Sequence, residues 1–327
     1  MQDHQIPLTP RIRLPYYLND IRKLKMSNID DMLPLLFSIV KSSASASNKD
    51  VYDVISDIVC DKTIPTFYDW MSGKIAIPIW AVEKIIELAD AKTTEYIRQV
   101  IWKRARFSAG GHTIVNLPRY ANPQLAYFIG YLHGDGTLNK NLKDFSVSDS
   151  NRMFLTKIAS LAKYIFDVES NLFRIKGKNA YRLDFCQVNI HSFLATFCPV
   201  GKKKNLLKIP DIFKQNKCLL KWYLTGLFDA DGSLGKYENY LRFNFVQSSK
   251  NFVFDVWSEL MNIGFNIGAP RLFRSSHPDD RSRIILEWVI SIHSKEQMNI
   301  MLRNFSFQHP DKMLVAMRWW AGQDSNL

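Results

Sequence analysis

The chain has 327 residues, of which 46% are apolar and 23% charged, enough for two or three domains with their own cores and unlike a disordered chain. Lys and Arg number 43 against 31 Asp and Glu, a formal net charge of +12 at pH 7, so the expected partner is a polyanion, either nucleic acid or an anionic membrane surface. The run Met32 to Val40 is far too short to span a membrane and contains Pro34, and the opening MQDHQIPLTP lacks a signal-peptide pattern. These features argue against a membrane partner and for an intracellular place: cytoplasm or nucleoid, or an organelle in a eukaryote. Cys60, Cys186, Cys198 and Cys218 show no CxxC spacing and read as reduced, mostly buried thiols.

In chain order, a Pro-bearing arm (Pro7, Pro10, Pro15) precedes a helix expected from Ile29 to Lys41, and Ser42 to Asn48 reads as a loop. Helical patterns follow at Val51 to Val59, Thr66 to Met71 and Ile79 to Ala89, with Ser72-Gly73 as a break and Pro78 suited to a first turn. The stretch from Pro65 to Ala89 resembles the helix–turn–helix repressors whose recognition helix ends in a Trp-x-x-Gly turn, here Trp70 to Gly73. Thr66, Tyr68 and Lys74 are its candidate nucleic-acid contacts. A further helix is expected from Thr93 to Arg106, then a linker through Ala109 to His112. The predicted divisions are a small all-α domain over 1–107, helix–turn–helix-like at about 50–90, and a linker over 108–122. Residues 1–120 carry 16 basic and 13 acidic side chains, whereas 121–327 carry 27 and 18. The anion-attracting charge therefore belongs mainly to the C-terminal part. Its strand-like stretches, such as Leu172 to Lys178 and Arg271 to Arg274, are expected to turn charge outward and apolar groups inward.

Beyond residue 120 the chain repeats itself. YFIGYLHGDGTL, from Tyr127, and YLTGLFDADGSL, from Tyr223, share Tyr, Gly, Asp, Gly and Leu at equivalent positions 96 residues apart. Each copy is followed by strand-like and helical patterns in the same order. The expected fold class is α+β, two pseudo-symmetric αββαββα repeats over 123–215 and 216–327.

Asn122 can cap a helix with Pro123 at its first position. Gly130 and Gly134 lie four apart on one face, as do Gly226 and Ala230, so Gly130 and Gly226 are expected to let two helix backbones approach closely. If the copies pack together, Asp135-Gly136 and Asp231-Gly232 end side by side, each glycine able to terminate its helix. Two carboxylates at helix C-termini repel each other and the dipoles. A divalent cation removes that conflict, and paired carboxylates of this kind suit phosphodiester hydrolysis.

FIGYLHGDG and LTGLFDADG resemble the paired motifs of the single-chain LAGLIDADG homing endonucleases, over about residues 120–327. The resemblance implies two halves joined through their motif helices, with sheets forming a basic DNA-binding saddle. It implies a monomeric, site-specific double-strand DNA endonuclease that hydrolyses phosphodiesters at a long asymmetric target. It further implies Mg²⁺, with Mn²⁺ as a substitute, at Asp135 and Asp231 beside Gly134 and Ala230. The motif's sixth position is Asp229 in the second copy but His133 in the first, where it caps and orients rather than catalyses. The polar residue ending the second strand is Gln247, with Asp149 as first-half counterpart, or Ser148 if the register slips by one. The lysines that would polarise the water network are Lys203 and Lys312. Basic residues expected on the DNA are Lys140, Lys143, Arg174, Lys176, Lys178, Arg182, Lys236, Arg242, Arg271, Arg274 and Arg283. Two alternatives stay open: a cleavage-silent DNA-binding transcription regulator, and a maturase binding host intron RNA. A self-splicing intein is disfavoured, because the chain begins with Met1 and ends without His-Asn.

Overall fold

A computed structural model describes residues 6–7, 25–27, 29–59, 63–104, 106–108, 117–118, 120–141, 143–203, 206–237, 240–277 and 280–324. The first elements are β1 (Ile6–Pro7), β2 (Lys25–Ser27), a 3-10 turn (Asp30–Met32), α1 (Leu33–Ser47), α2 (Val51–Val59), α3 (Ile64–Met71), β3 (Ile77–Pro78), α4 (Ile79–Ile86), α5 (Ala91–Arg104), β4 (Arg106–Ser108) and β5 (Tyr120–Ala121). Then come α6 (Pro123–Asp135), β6 (Gly136–Leu138), β7 (Asp144–Asp149), α7 (Arg152–Phe166), β8 (Asn171–Arg174), β9 (Tyr181–Cys186), α8 (Val188–Leu194) and α9 (Asp211–Lys214). The chain continues through α10 (Lys217–Asp231), β10 (Gly232–Tyr237), β11 (Tyr240–Gln247), α11 (Lys250–Asn262), β12 (Arg271–His277), β13 (Asp280–Ile292), α12 (Lys295–Asn304) and α13 (Pro310–Asp324). Two compact units result. One holds the described residues of Pro7–Arg119 and Gln187–Phe193; the other holds those of Met1–Ile6, Tyr120–Cys186 and Leu194–Leu327.

The N-terminal unit is mainly helical. Leu33, Leu36, Ile39, Val40 and Ala44 of α1 are buried, as are Val54, Ile55, Ile58 and Val59 of α2 and Ala81, Val82, Ile85 and Ile86 of α4, the spacing of one apolar helix face. Contrary to the loop expected over Ser42 to Asn48, α1 runs on to Ser47 and ends at Asn48 in the left-handed region, φ +54°. The serines do not break it, because Ser45 and Ser47 donate their hydroxyls back to the Lys41 and Ser43 carbonyls while Ala44 continues the buried face. Trp70 of α3 is buried edge-on to Trp80 at 5.8 Å, and Gly73, at φ +72°, makes the turn that follows. Helices are not all the sequence folds into here. β2 pairs with β3 on one side and β4 on the other, and Pro78, which has no N–H to donate, sits in an edge strand. Pro10, Pro15, Cys60 and the linker Ala109 to His112 lie outside the described residues.

The second unit is α+β, with two four-stranded antiparallel sheets in the orders β6-β7-β9-β8 and β10-β11-β13-β12. Each sheet belongs to one αββαββα repeat. The Asn122 side chain caps α6 by accepting from the Leu125 N–H at 2.8 Å, and Asn216 does the same for α10. From Leu125 to His133, and from Tyr223 to Asp229, every residue is buried. Such helices sit at the centre of a core rather than on its surface. Phe145 stacks on Phe185 at 4.5 Å beneath the first sheet, and Phe228 packs among Phe243, Phe245 and Phe305 in the second repeat. Of the described cysteines only Cys198 is buried; Cys186 is exposed and Cys218 half-buried, so the expectation of mostly buried thiols fails, Cys186 ending a strand on its uncovered face. No helix among the described residues is long and apolar enough to cross a membrane.

The motif helices meet backbone to backbone. A Cβ on Gly130 would lie 1.9 Å from the Tyr223 carbonyl oxygen, and one on Gly226 would lie 2.0 Å from that of Tyr127. Gly130→Ala and Gly226→Ala are each expected to destabilise the protein by about 1–3 kcal/mol or more. Gly235→Ala, whose Cβ would have no neighbour within 4 Å, is the control. Thermal unfolding reads the difference, and equal melting temperatures for all three would remove the seam.

Candidate active site

The glycine contacts bring the last turns of α6 and α10 together. A Cβ on Gly134 would fall 2.2 Å from Ala230 Cβ and 3.1 Å from the Asp231 carboxylate. Asp135 and Asp231 therefore end the two helices as neighbours. Gly136 and Gly232 do stop the helices, in extended backbone with φ −89° and −81°, a conformation open to any residue. They are glycines because there is no room: added Cβ atoms would meet Leu132 and the Phe228 carbonyl at 2.5 and 2.4 Å.

Both carboxylates are held in an environment that opposes their charge. Burial first, then Asp231 and Asp149, push the Asp135 carboxyl up to about 7, with Lys203 and Lys312 opposing. Burial also raises Asp231, against a hydrogen bond that Gln247 Nε2 donates to its Oδ2 and the same two lysines. Among the described residues no group of three or more His, Cys, Asp or Glu is arranged to hold a metal ion. Two repelling carboxylates nonetheless fit Mg²⁺, which commonly takes one or two from the protein and completes its shell with water and substrate phosphate.

Lys203 and Lys312 occupy matching places. Lys203 Nζ donates to the carbonyls of Leu132, His133 and Gly134 at 2.7, 2.9 and 2.6 Å. Lys312 Nζ donates to those of Phe228 and Asp229 at 2.7 and 2.5 Å. Each ammonium thus satisfies the orphan carbonyls and the negative dipole end of a buried helix. The Gly134 carbonyl, expected at the metal beside Asp135, accepts from the Lys203 ammonium here and keeps a second lone pair. Ala230 lies one residue beyond the carbonyls that Lys312 reaches.

Around this centre the two sixth-position side chains cross the seam. Tyr127 donates to Asp229 Oδ2 at 2.7 Å, and the same oxygen accepts the Gln308 N–H at 2.7 Å. In the other direction Tyr223 lies 2.6 Å from His133 Nδ1, while His133 Nε2 is 2.9 Å from the Phe197 carbonyl. A carbonyl only accepts, so Nε2 carries the proton and Nδ1 accepts from Tyr223. Burial drives the His133 pKa down to about 3, which keeps the ring neutral.

Strand register fixes the polar position. Val147 is opposite Gly136 and Phe245 opposite Gly232, so Asp149 and not Ser148 is the counterpart of Gln247. Asp149 accepts from the Asn151 N–H at 2.7 Å and from Tyr131 at 3.1 Å, and faces His309 Nε2 at 3.5 Å. Burial works against its charged form, but the His309 and Asn151 hydrogen bonds outweigh it and hold the carboxyl below its usual range.

The basic set divides. Leu183 and Phe185 of β9 and Leu241, Phe243 and Phe245 of β11 are buried, so Arg182 and Arg242 point to the opposite, helix-free faces. There Arg182 donates to Asp184 at 2.6 Å and Arg242 to Asn244 at 3.0 Å. Arg271, opposite Val289, shares that face of the second sheet. Arg174 is opposite Tyr181, Lys236 opposite Leu241 and Arg274 opposite Leu286, which puts all three on the helix side of their sheets. Pairing reverses the expected alternation: Phe173 and Phe273, 45% and 53% exposed, take the outward positions instead. Lys140 and Lys143 are exposed ahead of β7, and Lys176 and Lys178 on the β8–β9 turn. The side chain of Arg283 lies outside those described. Tyr127, Tyr223 and His309 were not singled out from the sequence. The two tyrosines open the repeated strings and could have been found there; His309 carries no such signal.

Residues 122–197, within the first repeat, match the LAGLIDADG-like domain family. A curated relative, glutamine–fructose-6-phosphate aminotransferase [isomerizing] of Methanocaldococcus jannaschii, is 24% identical over 212 residues, 61% of this chain but 18% of that protein. Among solved structures, I-DmoI in complex with DNA and Mn is similar at TM-score 0.40 and 18% identity, covering 56% of this chain and 96% of that one. The N-terminal LAGLIDADG domain of DUF199/WhiA is similar at 0.40 and 13%, covering 57% and 82%. The homing endonuclease I-WcaI bound to its DNA recognition sequence is similar at 0.37 and 16%, covering 58% and 85%.

Lys203→Met and Lys312→Met are each expected to lower stability by about 1.5–3 kcal/mol, the scale of hydrogen bonds to a charged group. Urea unfolding measures the loss. A lysine that served only as a phosphate contact would leave the midpoint unchanged.

Proposed function

We propose that the chain is a site-specific, divalent-metal-dependent double-strand DNA endonuclease. The observation that carries this reading is the pair Asp135 and Asp231, half-buried as neighbours at the ends of two lysine-capped helices. No packing requirement puts two like charges there. Mg²⁺ ions, or Mn²⁺ in their place, would be held at these two carboxylates, one in each half-site, and would supply charge neutralisation at the phosphate. The rest of the centre serves to fix them. Gln247 orients Asp231, Lys203 and Lys312 pin the helix ends, and the Tyr127–Asp229 and Tyr223–His133 bonds lock the seam beneath. Residues 121–327 carry the larger basic excess, 27 against 18, and Arg182, Arg242 and Arg271 present part of it on the helix-free sheet faces, where duplex DNA would lie.

In this reading the N-terminal unit is not the main anchor. Residues 50–90, the helix–turn–helix-like stretch, hold eight acidic and three basic side chains, and Lys74 pairs with Asp69 at 3.2 Å. Such a surface offers little attraction for phosphate.

Cleavage-site mapping of the full-length protein on a randomised duplex library with Mg²⁺ tests the proposal. The wild type is expected to cut both strands at a selected site. Asp135→Asn and Asp231→Asn are expected to bind that site while double-strand cleavage falls at least about a hundredfold, the scale of losing one preorganised charge-stabilising group. Cleavage by both variants at the wild-type rate ends the active-site assignment. Selection of a site without cutting it would identify a DNA-binding regulator, and loss of splicing of a host intron in its absence, with no DNA selected, a maturase.

A further inference from the structure

The two repeats are unequal beside the carboxylates. Asp149 and Gln247 end their strands at the same register position, yet they act differently. Gln247 turns its amide to Asp231 and occupies one oxygen of that carboxylate. Asp149 has no N–H to offer Asp135. It is drawn away by Tyr131, by the Asn151 N–H and by His309 of the other repeat, leaving both Asp135 oxygens without that kind of partner among the hydrogen bonds described. A charged group thus stands in the first repeat where a neutral amide stands in the second. Asp149 is one of the charges acting on Asp135. The two ammonium groups do not offset this difference, because Lys203 and Lys312 each act on Asp135 and on Asp231. His309 is itself set between Asp149 and Asp311, with Nδ1 3.9 Å from the second carboxylate, and its side chain is only 9% exposed. It holds Asp149 in place from across the seam.

We propose that the two half-sites hold their divalent cations unequally, Asp135 with Asp149 beside it forming the tight half-site and Asp231 with Gln247 the weak one. The proposal rests on the nuclease reading for the location of the cations at Asp135 and Asp231. Asp149 acts as a positioning residue through its charge, not as a ligand, in keeping with the absence of a three-carboxylate cluster among the described residues. One unit charge more at a partly screened site separates the affinities by about tenfold or more.

The test is Mn²⁺ binding by full-length protein, alone and on the duplex recovered by selection, followed through the free-ion electron paramagnetic resonance signal. Two steps separated by about tenfold or more are expected for the wild type. Asp149→Asn should merge them near the weaker value. Gln247→Glu, which keeps shape and leaves Asp149 untouched, should merge them near the stronger one, and it serves if the first variant fails to fold. Two equal Mn²⁺ sites in the wild type, or steps unmoved by Gln247→Glu, overturn the inequality and leave the nuclease reading standing. No Mn²⁺ binding under either condition, or binding indifferent to Asp135→Asn and Asp231→Asn, overturns both.

Discussion

The second unit depends on a contact that no side chain makes. At Gly130 and Gly226 each motif helix passes within a Cβ bond's reach of the other's carbonyl oxygens. That approach sets the rotation and the axial register of the pair, because a shift by one residue would drive a side chain into a main chain. Once register is set, Gly134 must meet Ala230 and the two aspartates must end as neighbours. Packing several residues away thus makes positions 135 and 231 neighbours, but it does not ask that both carry charge. In the second repeat Phe243 and Phe245 pack the sheet onto Phe228 of α10.

The halves are alike without being interchangeable. The tyrosine that opens each repeated string reaches across to the sixth position of the other, and both donate. What differs is the main-chain group waiting behind. In the second repeat it is the Gln308 N–H, which needs an acceptor; in the first it is the Phe197 carbonyl, which needs a donor. Aspartate answers the first need and a neutral imidazole the second, since imidazole accepts at one nitrogen and donates at the other. His133 is thus matched to its surroundings and is not a degraded aspartate. Its neutrality also spares that side of the seam a buried charge.

Much of this was written in the sequence, for a definite reason. The doubled motif carried its own register, so the helix pair, the glycine seam and the αββαββα order could be read from spacing. The Asn122 cap and the Pro123 start are local signals that nothing overrides. Readings that depended on partners fared differently. The face taken by Arg174 or Arg274 is decided by which residue lies opposite, and strand pairing is absent from a single strand's alternation. The serines after Lys41 look like a loop until a buried Ala44 extends the helix beneath them. Lysines near a final turn announce positive charge but not that the charge will be spent on carbonyl oxygens. His309 meets Asp149 across about 160 residues of chain, a pairing that leaves no trace in local pattern.

The grouping of Gln187–Phe193 with the N-terminal unit bears on synthesis at the ribosome. Ile190, His191 and Phe193 of α8 are buried, and the unit they group with is incomplete until they have been made. Residue 119 emerges well before residue 187, and at roughly 5–20 residues per second the gap is several seconds. During that interval the N-terminal unit lacks one of its segments. The first repeat, through β9, is translated inside the same interval. The usual vectorial order, one domain finished before the next begins, is closed to this chain. Its N-terminal unit is the first to start and is completed only after β9 has been translated.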